Sequence, residues 1–77
     1  MLNKTNVTTD IHDGQPVTLY DVGDLHVTII PMRSRLPALA YRMTNGEKFL
    51  AVDGSLPEAE QDKIVSDYIN NGYTLPK

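Results

Sequence analysis

The stretch ALAYRMTNGEKFLAV, residues 38–52, decides how this chain folds. Asn-Gly between two apolar, alternating runs is a strong short-range hairpin signal. A two-residue type I′ turn at Asn45-Gly46 pairs Met43 with Lys48, Arg42 with Phe49, Tyr41 with Leu50, Ala40 with Ala51 and Leu39 with Val52. Leu39, Tyr41, Met43, Leu50 and Val52 then share one face, which supports that register.

Upstream, residues 17–31 alternate with the two-residue period of strands. Val17, Leu19, Leu25, Val27 and Ile29 have odd parity, and Thr18, Tyr20, His26, Thr28 and Ile30 even. A two-residue turn at Val22-Gly23 would pair Leu19 with His26 and scramble the faces. A three-residue turn with Gly23 left-handed pairs Leu19 with Leu25 and Val17 with Val27, keeping one face apolar. Residues 1–16 are polar and read as a loose arm or an edge strand, with Asp13-Gly14 suited to a turn.

Downstream, residues 55–72 read as a helix. Ser55 and Glu58 form a capping box, Pro57 lies in the first turn, and Gly72 follows the last turn. Ile64, Val65, Tyr68 and Ile69 make an apolar stripe at helical spacing. The expected architecture is α+β: a four-stranded antiparallel β-meander whose odd-numbered face packs on one C-terminal helix. Residues 17–77 form that single ββββα domain.

At 77 residues the chain suits one small domain, burying about 60% of its unfolded surface. It contains no cysteine, which excludes disulfide staples and thiolate chemistry. No apolar run reaches membrane-spanning length, and the first residues carry no stretch resembling a secretion signal. These features suggest a soluble cytoplasmic protein of bacterial or phage-like economy, with no membrane partner. Net charge is −3, unevenly placed. Residues 25–46 hold Arg33, Arg35 and Arg42 without an acid, while the segments on either side are acidic.

Pro31 and Pro37 bracket the connection between the second and third meander strands, since proline cannot donate to a ladder. Arg33 and Arg35 decorate that link, where they aid solubility or meet an acidic or phosphate-bearing partner. The second sheet face, with Tyr20, His26, Ile30, Ala40, Arg42, Phe49 and Ala51, is too apolar to stand in water. The N-terminal arm, a partner or a second copy in a homodimer would cover it.

No catalytic constellation is visible, so no enzymatic activity, cofactor or metal is expected. His12 beside Asp10 and Asp13 lacks a third strong ligand. Asp53-Gly54 reads as turn chemistry, and Ser55 is accounted for by capping. The chain therefore reads as a small noncatalytic protein–protein interaction module. Its candidate binding residues are Arg33, Arg35, Arg42, Phe49, Tyr20 and Ile30. The alternative is a nucleic-acid binder using Arg33, Arg35 and Arg42, with Tyr20 and Phe49 as stacking surfaces.

Overall fold

A computed structural model describes residues 2–32 and 35–76. The elements are β1 (Thr5–His12), β2 (Gln15–Val22), β3 (Leu25–Ile30), β4 (Ala38–Arg42), β5 (Lys48–Asp53) and α1 (Glu58–Asn70). The fold is α+β, with one helix packed on one sheet. The sheet is not a four-stranded meander: it has five strands in the order β1-β2-β3-β5-β4. β3 and β5 run parallel, and all other neighbours are antiparallel.

β5 lies between β3 and β4 because its side chains are sheltered on both faces. Leu50 and Val52 are buried on the helix side, and Phe49 and Ala51 are half-buried opposite. Such a segment belongs inside a sheet, whereas β4 is exposed at four of its five residues and lies at the edge. The link from β3 to β4 must then cross two strand spacings, about 10 Å, which residues 31–37 can span.

The crossing is fastened at the end of β5. Gly54 N–H donates to Ile30 C=O at 3.0 Å, and Asp53 N–H to Pro37 C=O at 2.8 Å. Asp53 Oδ1 accepts from Ser55 N–H at 3.0 Å, Ser55 Oγ at 2.9 Å and Met32 N–H at 3.3 Å. A Cβ on Gly54 would lie 3.3 Å from Ile29 Cγ2 and 3.4 Å from the Ile30 and Pro31 backbone, so the crossing favours glycine.

Both central hairpins adopt registers other than those the sequence suggests. At Asn45-Gly46 only Gly46 has positive φ, 92°, so the turn is not type I′. Met43 C=O accepts from Gly46 N–H at 2.9 Å, and Met43 N–H donates to Glu47 C=O at 2.9 Å, closing a three-residue loop. Asn45 Oδ1 accepts from Glu47 N–H at 3.0 Å, a side-chain bond that competes with the tighter turn. The register slips by one: Arg42 faces Lys48, Tyr41 faces Phe49, Ala40 faces Leu50 and Ala38 faces Val52. Leu39, Tyr41 and Met43 are thereby turned away from the core, and Ala38 and Ala40 face it.

The β2–β3 turn is Gly23-Asp24 rather than a three-residue loop, with Gly23 at φ 58° in the first central position of a type II′ geometry. It pairs Val22 with Leu25, Tyr20 with Val27 and Leu19 with Thr28. Tyr20 enters the core, and Val17 and Leu19 go to the opposite face. The core unites Tyr20, Leu25, Val27, Ala38, Leu50, Val52, Val65 and Tyr68. β1 completes the sheet, joined to β2 through Asp13-Gly14, both at positive φ as a type I′ turn requires.

The predicted capping box does not form. Pro57 occupies the cap position without a side-chain bond, and Ser55 Oγ is held by Asp53. At the other end Gly72 N–H reaches Ile69 C=O at 3.1 Å and Tyr73 N–H reaches Tyr68 C=O at 2.9 Å, a complete Schellman motif.

Candidate functional site

Among the described residues, no further element packs on the sheet face away from α1. Its middle is a row of side chains with one member from each strand: Asn6, Asp21, His26, Phe49 and Tyr41. The ladder registers place them side by side, since Asp21 faces His26, His26 faces Phe49 and Phe49 faces Tyr41. Asn6 joins through an irregularity in β1, where the register shifts between Thr5 and Thr8 and Asn6 takes φ 52°. Asparagine tolerates that backbone, and the bulge aims its amide at Asp21.

Contacts run along the row. Asn6 Nδ2 donates to Asp21 Oδ2 at 2.9 Å, and His26 Nδ1 stands 2.7 Å from Asp21 Oδ1. His26 Nε2 lies 3.7 Å from Glu47 Oε2, an ion-pair separation when the ring is charged. The His26 ring meets Phe49 at 4.9 Å between centroids, and Phe49 stacks on Tyr41 at 5.1 Å with only 2° between planes. Both imidazole nitrogens therefore lie beside carboxylates.

A second row beside the first runs Thr8, Leu19, Thr28, Ala51 and Leu39. Thr28 and Ala51 are short, and their taller neighbours Leu19, Ile30 and Tyr41 rise around them. The result is a groove of about 370 Å³, closed at its β1 end by Asp10, Ile11 and His12. Tyr41 remains 51% exposed at its rim.

The sequence-derived candidates separate in space. Phe49 and Ile30 lie on this open face. Tyr20 does not: it is 3% exposed in the core on the helix side. There the Lys4 ammonium sits 4.9 Å from the Tyr20 ring centroid while pairing with Asp62 at 2.9 Å. Burial, with Asp62 and Glu58 nearby, pushes the Tyr20 phenol up to about 12. Arg42 ends the edge strand with helix-side parity, beside Lys48. Arg35 is exposed in the link, and Arg33 lies outside the described residues. Tyr41, Leu39 and Leu19 belong to this face although the expected registers place them in the core: β4 is displaced by one residue against β5 and β3 by three against β2, and any odd displacement exchanges the two sides.

Among the described residues no group of three or more His, Asp or Glu side chains is placed to hold a metal ion. No described helix is long and apolar enough to cross a membrane.

The chain matches no known protein family, curated protein or solved structure in the comparisons made. Its open face has to be interpreted from its own chemistry.

Asp21 also links this face to stability. The Asn6 amide, followed by His26, holds its carboxyl below the usual aspartate value. Bonds from the Ser55 backbone and hydroxyl, then from Met32, do the same for Asp53. A carboxyl depressed in the folded state binds its proton more tightly when unfolded. Its stabilisation is present above the unfolded value and is lost as pH falls through the lower folded value. Urea midpoints measured from pH 7 down to about pH 2 should decline below the ordinary carboxylate range. Asp21→Asn with Asp53→Asn should flatten that decline, and an unchanged decline would assign it to other carboxylates.

Proposed function

We propose that the protein is a small noncatalytic interaction module that docks a partner protein on the open face of its sheet. The observation that carries this reading is the groove over Thr28 and Ala51, walled by Leu19, Ile30 and Tyr41 and continuous with the Tyr41–Phe49 stack. An uncovered apolar depression of this kind fits a protruding apolar side chain, and rigid aromatic groups commonly supply the strongest contacts of an interface. Asp10, Asp21 and Glu47 line the groove or the adjoining row and set an acidic border. That border disfavours phosphate and supports protein rather than nucleic acid as the occupant of this face.

Phe49→Ala tests the reading. It is expected to leave the fold intact while removing the platform on which Tyr41 stacks. Proteins captured from native lysate after nuclease treatment by the wild type should be lost or strongly depleted with the variant. An identical captured set, with an unchanged circular dichroism spectrum, would exclude this face.

A further inference from the structure

The free edge of β4 has its own chemistry. The bonds from Asp53 N–H to Pro37 C=O and from Met43 N–H to Glu47 C=O set the phase of the β4–β5 ladder. Residues of odd number turn their backbone groups toward β5, so Ala38, Ala40 and Arg42 turn theirs outward. Ala38 is buried, which leaves Ala40 to Arg42 as the open template. No described strand pairs on that side.

Two further features flank this template. Arg35 and Arg42 are exposed and make no ion pair with a described residue, and residues 35–46 contain no acid. On the helix side, an apolar groove of about 510 Å³ runs along the strand between Leu36 and Pro37 on one wall and Ile64, Leu75 and Pro76 on the other.

We propose that the β4 edge accepts an extended acidic-and-apolar segment of a partner protein as a sixth strand. Its backbone bonds Ala40 and Arg42, one apolar side chain enters the groove beside Leu75, and its carboxylates meet Arg35 and Arg42. Strand addition supplies affinity through the main chain and specificity through alternate side chains. Charge selects the occupant. Pairing two copies of β4 would bring their arginines together with no acid from the strand between them, whereas an acidic strand complements them. This inference rests on reading the chain as a protein-binding module but uses a surface separate from the Phe49 face.

The test titrates isotope-labelled protein with a synthetic eight-residue peptide, Thr-Glu-Thr-Val-Thr-Glu-Thr-Glu, whose valine and glutamates share one face of an extended strand, and with its counterpart carrying lysine for glutamate. Amide shifts and hydrogen exchange are read at Ala40 and Arg42. The glutamate peptide should shift and protect those amides and bind at least about tenfold more tightly than the lysine peptide. Arg35→Glu with Arg42→Glu should reverse the preference. Ala40→Pro should abolish binding while keeping the β5 ladder, since the Ala40 N–H points outward. Retained binding in folded Ala40→Pro would overturn the inference, as would equal binding of the two peptides or no response at Ala40 and Arg42. Tighter binding of a single-stranded oligonucleotide would overturn it in favour of nucleic acid. Concentration-dependent protection of these amides without peptide would overturn it in favour of a second copy. Loss of lysate capture by Phe49→Ala is scored separately, so either surface can fail without the other.

Discussion

Leu50→Ala should cost about 2–5 kcal/mol of folding stability. Leu50 is 1% exposed at the centre of β5, with Val27 opposite it on β3 and Ala40 opposite it on β4. Both neighbouring strands are held by ladder bonds, so the cavity left by the missing side chain cannot readily close. A chain of this length has only about 4–12 kcal/mol in total, so the loss is a large part of its stability. The urea midpoint should fall sharply with little change in slope. Leu39→Ala is the control, because Leu39 is 45% exposed on the edge strand and should change stability by about 0.5 kcal/mol or less. The register suggested by the sequence places both leucines in the core and requires similar costs. Equal losses would therefore contradict the observed pairing.

Tyr68→Ala should cost about 3–5 kcal/mol, by the same reasoning applied to the helix. α1 rests on the sheet through Val65 and Tyr68, its two fully buried side chains. Tyr68 also receives the edge of Tyr73 at 5.9 Å and 82°, which ties the Schellman turn to the core. Removing the ring takes away the anchor of the helix and the surface against which the tail folds. Tyr73→Ala should remove chiefly the aromatic contact, for about 0.5–1.5 kcal/mol. Chemical denaturation of the two variants separates the contributions. Matching costs would mean that Tyr68 acts through the tail and not as the helix anchor.

The sequence carried the elements more reliably than their partners. The apolar stripe Ile64–Val65–Tyr68–Ile69, the stop at Gly72 and the strand character of residues 17–30 and 38–52 all depend on local periodicity and turn chemistry, and all are seen. The hairpin at Asn45-Gly46 was legible as a hairpin. Its register was not, because the Asn45 side chain bonds Glu47 N–H and favours a loop one residue longer. That slip moved Leu39 and Tyr41 onto the open face, and the Gly23-Asp24 turn moved Tyr20 off it. Of the candidate binding residues, Phe49 and Ile30 lie on that face.

Residue spacing by itself determined a one-helix α+β chain with apolar strands, a basic middle segment and no thiol chemistry. Only the tertiary structure decided that β5 lies between β3 and β4, leaving β4 at an open edge. That choice is nonlocal: it follows from shielding both faces of Phe49–Val52 at once, with Ile30 and Pro37 both bonded to the β5 end at Asp53-Gly54. No pattern within either strand specifies it, because side-chain alternation sets which face is buried and not which strand is the neighbour.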